Sequence, residues 1–154
     1  MREILFRGKR IDNGEWVKGF LLKGNRTYIV TVDAINYMVV SLAYMASMQL
    51  VEVDSETVGQ FTGLTDMDGK EIFEGDILKV KSLWKAEWNN EGVCEKKQTY
   101  WSVEHKTHST KMGFFTYGID RRWHKPLTWS RLYNAEAEVI GNIHDNPELL
   151  EEEE

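Results

Sequence analysis

The side chains able to hold zinc through thiolate or imidazole are few: Cys94, His105, His108, His124 and His144 are the whole supply of thiol sulfur and imidazole nitrogen. A structural zinc site needs four such donors at tetrahedral spacing, usually as paired cysteines or as two histidines one helical turn apart. His105 and His108 are three residues apart, which on a strand sends them to opposite faces, and no second cysteine or His-Glu-X-X-His pattern accompanies them. The acid-rich stretch Asp66-Met-Asp-Gly-Lys-Glu resembles a calcium loop, in which oxygen ligands alternate around a glycine. Aligned on Gly69, however, the first ligand position falls on Leu64 and the twelfth on Gly75, so the two decisive carboxylates are missing. The stretch reads as a turn followed by a strand. Covalent catalysis would need an activated Ser, Thr or Cys. Neither a Gly-X-Ser-X-Gly elbow nor a glycine-rich phosphate cradle occurs. The residues therefore point away from an enzyme, and no catalytic residue, metal or cofactor is assigned.

One constellation has the composition of a binding surface. Residues 78–131 carry eleven Lys and Arg against five acids, together with nine of the eighteen aromatic residues. Proteins that bind single-stranded nucleic acid combine cations for the phosphates with exposed rings on which bases stack. Lys96, Lys97, Trp101, Arg121, Arg122, Trp123 and Lys125 are the residues that would form such a site, with Arg121-Arg-Trp-His-Lys its densest piece. The competing reading is that a small β domain needs large side chains to fill its core, which would claim Tyr100, Trp101 and Phe114 for the interior. Net charge is −6, which argues against an ordinary DNA-binding protein, but six of the acids lie in residues 145–154, where no base occurs. Elsewhere basic and acidic stretches alternate along the chain, a pattern suited to two charged faces or to self-complementary surfaces in an oligomer.

These residues must be positioned by strands. Period-two patterning and frequent β-branched and aromatic residues dominate the 154 residues. Glu3-Ile-Leu-Phe-Arg and Glu15-Trp-Val-Lys-Gly-Phe-Leu flank Asp12-Asn13-Gly14, a turn signal that predicts a hairpin over residues 2–22. Residues 27–32 and 49–53 read as strands, whereas 39–48 reads as a strand or as one or two helical turns. Asp68-Gly69 predicts a second turn. After Gly75-Asp76, Leu78 and Val80 should face inward while Lys79 and Lys81 face water. Residues 93–104, 111–119 and 137–143 supply further strands, and Pro147 opens a short C-terminal helix before the terminal glutamates. Short strands joined by Gly and Asp turns must hide their edges, which a small barrel does economically. The expected architecture is mainly β. It comprises an N-terminal β subdomain over 1–55, a small SH3-like barrel or β-roll over 56–146, and a short helix with an acidic tail over 147–154.

Five motifs in order resemble the YopX family of phage and prophage proteins. They are Phe6-Arg-Gly-Lys-Arg, Glu15-Trp-Val-Lys-Gly, Val58-Gly-Gln-Phe-Thr-Gly-Leu-Thr-Asp, Asp68-Gly-Lys-Glu-Ile-Phe-Glu-Gly-Asp-Ile-Leu and Val139-Ile-Gly-Asn-Ile-His-Asp-Asn-Pro-Glu-Leu-Leu. The resemblance implies a mainly β fold with an SH3-like element in a phage or prophage setting, and it carries over no catalytic residue. A lone cysteine and the absence of a long apolar run fit a cytoplasmic protein with no membrane span, and the phage setting that the resemblance implies makes that the cytoplasm of a bacterial host cell. The expected function is a non-enzymatic accessory module that binds a protein partner or assembles with itself. A nucleic-acid-binding barrel is the alternative, and an enzyme without a recognisable motif a further one.

Overall fold

Asp12-Asn13-Gly14 turns the chain as its composition demands. Gly14 adopts φ +74°, a backbone region that side-chain-bearing residues avoid, and the Arg10 amide donates to the Glu15 carbonyl across the turn. The computed structural model describes residues 4–32, 48–88, 94–108, 111–118 and 124–150. The chain divides into two compact units, Met1–Phe61 and Thr62–Glu154.

The N-terminal unit is an antiparallel meander of β1 (Phe6–Lys9), β2 (Trp16–Lys23), β3 (Thr27–Val32) and β4 (Met48–Glu52). The start of β5 (Gly59–Thr65) lies against β1, with Phe6 opposite Gln60 and Arg7 opposite Gly59. The meander curls on itself at one end. Arg10 bridges Val53, the Ile11 amide donates to the Glu52 carbonyl and the Asp54 amide to the Lys9 carbonyl, so the outer strands β1 and β4 meet there. The interior of the curl is narrow. A Cβ on Gly8 would lie 2.9 Å from a methyl of Val53, and one on Gly19 would run into the Val30 carbonyl, which is why both positions are bare. Ile29 and Val53 fill what space remains. A 3-10 turn over Ser55–Thr57, capped by the Asp54 carboxylate, tethers the exit through the Thr57 hydroxyl to the Lys9 amide. Residues 39–47, expected as strand or helical turns, lie outside the described residues.

The C-terminal unit begins with the end of β5, which turns at Asp66–Gly69 into β6 (Glu71–Phe73). Its main sheet has the order β10-β9-β8-β7-β11. The strands are β7 (Asp76–Trp88), β8 (Cys94–His108), β9 (Lys111–Gly118), β10 (His124–Pro126) and β11 (Glu138–Asn142). As expected, Leu78 and Val80 are buried and Lys81 is exposed; Lys79, expected to face water, is half-buried. Two points correct the expected architecture. Among the described residues the sheet is open, with β10 and β11 at opposite edges, so the SH3-like barrel or β-roll expected over 56–146 does not close into a barrel here. One face is instead covered by a helix that the strand patterning hid, α1 (Trp129–Asn134), capped by the Thr128 hydroxyl accepting from the Arg131 amide. Leu132 of α1 enters a core of Ile72, Leu78, Val80, Trp101, Val103, Phe114, Ala135, Ala137 and Val139. The predicted C-terminal helix is a single 3-10 turn, Pro147–Leu150. No helix among the described residues is long and apolar enough to cross a membrane.

Candidate recognition surfaces

Alternation along a strand gives the N-terminal meander an inner and an outer face. Gly19, Ile29 and Val51 share the inner one. On the outer face the register aligns Phe20, Val30 and Leu50 in one cross-strand row and Leu22, Tyr28 and Glu52 in the next. In most antiparallel sheets with a solvent face that face is polar. Here Phe20 is 45%, Leu22 52% and Leu50 56% exposed, and Val30 and Tyr28 are half-buried between them. The patch has charged corners. Lys18 stands two residues before Phe20 on the same face and opposite Arg7 of β1, whose guanidinium lies 4.8 Å from the centre of the Trp16 ring. At the far corner, Glu52 receives the Arg26 guanidinium at 3.0 Å. That pairing raises the Arg26 pKa above its ordinary value, first through the hydrogen bond and then through charge.

Sequence reading missed this surface, although a signal was present. Phe20-Leu21-Leu22, Tyr28-Ile29-Val30 and Leu50-Val51 are apolar at consecutive positions, so both faces of the sheet had to be hydrophobic.

The seven residues nominated for nucleic acid do not form one described surface. Trp101 is 5% exposed and faces the core, with the Arg131 guanidinium 4.3 Å from its ring centre. A base could stack on it only if the core opened. Lys96 and Lys97 occupy β8, with Lys97 opposite Ser82. Lys125 is exposed on β10 opposite Thr116. Arg121, Arg122 and Trp123 lie outside the described residues. Of the other aromatics in that segment, Phe114, Phe115 and Tyr117 are buried. Among the described residues of that segment the most exposed ring is Trp129, 61% exposed, stacked on Tyr133, 53% exposed, at 5.1 Å between centroids and 17° between planes.

The acidic turn proves to be a structural cap. Asp66 Oδ1 accepts from the amides of Asp68 and Lys70, and Oδ2 accepts from the Val139 amide at 2.9 Å, so β6 and β11 are both held by one buried carboxylate. Among the described residues no three His, Cys, Asp or Glu side chains gather closely enough to hold a metal ion. His105 lies edge-on to Phe114, 4.9 Å between ring centroids.

Comparison with known proteins agrees with this architecture. The crystal structure of protein EF1440 from Enterococcus faecalis matches with a TM-score of 0.52 at 22% identity, covering 98% of this chain and 100% of that one. At that identity the likeness is one of fold. No curated protein shows significant similarity to the chain. The family model described as YopX protein matches residues 5–151, nearly the whole length, and the chain belongs to the YopX family.

Proposed function

We propose that this YopX-family chain is a non-enzymatic accessory module, encoded by phage or prophage and acting in the bacterial cytoplasm, that binds a macromolecular partner through the outer face of its N-terminal meander. The observation that carries this reading is the cross-strand patch of Phe20, Leu22 and Leu50, each about half exposed. Large apolar side chains gathered on one face, rather than scattered singly, are the usual mark of an interaction site. Charged corners at Lys18 and Glu52 would orient what docks there. The test is co-purification from infected cells using tagged native chain and the Leu50→Glu variant. A stoichiometric partner that the variant loses supports the reading; identical, partnerless profiles with a monomeric native chain overturn it.

A second reading, single-stranded nucleic-acid binding, is favoured by a different observation: the solvent-facing stack of Trp129 on Tyr133, with exposed Lys125 a few residues upstream. Each base stacked on an aromatic ring contributes about 1–3 kcal/mol. Fluorescence anisotropy with a labelled oligonucleotide should then show affinity that falls with salt and with Trp129→Ala. Absence of binding at low salt removes this reading.

A further inference from the structure

The outer face of the N-terminal meander has a symmetry that its general role as a binding surface does not require. Its central position is Val30, flanked by Phe20 on β2 and Leu50 on β4. Lys18 lies one strand to one side of Val30 and one outward-facing position below it. Glu52 lies one strand to the other side and one outward-facing position above it. The Lys18 ammonium and the Glu52 carboxylate, which Arg26 of the same chain also contacts from the exposed side, therefore sit at opposite corners of an apolar patch, equidistant from its centre. We propose that the partner of this face is a second copy of the chain, related by a two-fold axis that passes over Val30. This rests on the binding reading above and names its partner.

The geometry follows from sheet dimensions. With strands about 4.8 Å apart and residues about 3.4 Å along each strand, Lys18 and Glu52 are offset by about 10 Å across the sheet and 14 Å along it. A two-fold axis parallel to the sheet and perpendicular to that diagonal lays Lys18 of each copy over Glu52 of the other. It also crosses the row of Phe20, Val30 and Leu50 over the same row of the second copy, with Val30 on Val30. The strands of the two sheets then cross at roughly 70°, close to the orthogonal class of sheet packings. A C2 interface must be self-complementary, and a surface that carries both halves of its own charge pair at symmetric positions meets that condition. A foreign partner would need only one sign opposite each corner. A patch of three short strands makes a small interface beside the ~800 Å² per partner of a standard stable one, so the expected association is weak.

The decisive experiment uses charge reversal in the full chain. Lys18→Glu sets carboxylate against carboxylate at both corners of the two-fold, and Glu52→Lys sets ammonium against ammonium; either change should weaken self-association at least tenfold. Mixed in equal amounts, the two variants should associate again, because each corner of the mixed dimer sets a carboxylate against an ammonium, one corner being the native Lys18–Glu52 pair. The double variant Lys18→Glu/Glu52→Lys exchanges the two signs within one chain and restores opposite charges at both corners, and it should self-associate with native-like affinity. Sedimentation velocity from about 1 to 500 μM would read this, a range that brackets micromolar dissociation constants. Circular dichroism and melting curves of each variant establish that it is folded. A native chain that sediments as a monomer throughout overturns the inference, as does a double variant that stays monomeric when the native chain associates. If the native chain is monomeric but Leu50→Glu abolishes capture of a different protein, the dimer fails and the broader binding reading survives. If Leu50→Glu changes neither self-association nor capture, both fail.

Discussion

The guanidinium of Arg131 lies 4.3 Å from the centre of the Trp101 ring, which pairs the helix α1 with the central strand β8 of the C-terminal sheet. Burial pushes the Arg131 pKa down to about 10, because the charged form loses hydration. The electron-rich ring face returns part of that loss. Trp101 thus serves as the floor on which α1 rests. Trp101→Ala should lower unfolding free energy by about 3–5 kcal/mol, the usual result of emptying a large aromatic site. Urea denaturation followed by far-ultraviolet circular dichroism measures it. A variant as stable as the native chain would show that the ring is not part of the core.

Gly19 and Gly113 make a controlled pair. A Cβ on Gly19 would meet the Val30 carbonyl, which belongs to the neighbouring strand and cannot yield without shifting the ladder. A Cβ on Gly113 would meet nothing within 4 Å. Gly19→Ala should therefore destabilise by roughly 1–3 kcal/mol, as overpacking does, whereas Gly113→Ala should stay within about 0.5 kcal/mol of native. Differential scanning calorimetry of the two variants side by side checks the contrast.

These residues also show what could be read from sequence. The hairpin at Asp12-Asn13-Gly14 and the half-buried start of β7 were legible because turn chemistry and period-two alternation act locally. The helix α1 was not. Trp129-Ser-Arg-Leu-Tyr-Asn is only six residues, has a single buried apolar side chain in Leu132, and sits among strand-forming aromatics, so neither period is expressed. The open sheet was equally hidden, since closure depends on whether β10 and β11 meet, and no local residue pattern encodes that. The same long-range dependence explains the nucleic-acid residues. Composition placed Trp101 in a basic aromatic stretch, but the pairing of β8 with β7 and β9 turned its ring inward.

Asp66 should behave as a cap whose loss is felt in two strands. Removing the carboxylate leaves the amides of Asp68, Lys70 and Val139 without this acceptor, and the Val139 contact is buried. Each buried polar group left unsatisfied costs about 1–3 kcal/mol, partly relieved by water for the two turn amides. Asp66→Ala should lower stability by about 2–4 kcal/mol on that basis. Asp66→Asn should recover only part, because its NH2 group cannot accept from the Val139 amide. Millimolar calcium should leave the native melting temperature unchanged, which distinguishes a cap from a cation loop.

The Lys81–Glu136 contact gives a prediction in pH. The ammonium donates to Glu136 Oε2 at 2.7 Å, and this hydrogen bond, followed by the carboxylate's charge, raises the Lys81 pKa above its ordinary value. A base whose proton is held more tightly in the folded state contributes stability that is complete below the unfolded pKa, about 10.4, and that disappears as pH rises through the higher folded value. Both side chains are about half exposed, so the contribution is small and screened by salt. Lys81→Met should therefore melt slightly below the native chain at pH 7 and low salt. The gap should close on adding salt, and close again above about pH 11, past the ordinary lysine range. A gap that persists under either condition would assign the effect of Lys81 to its methylene stem packing on the sheet rather than to the ion pair with Glu136.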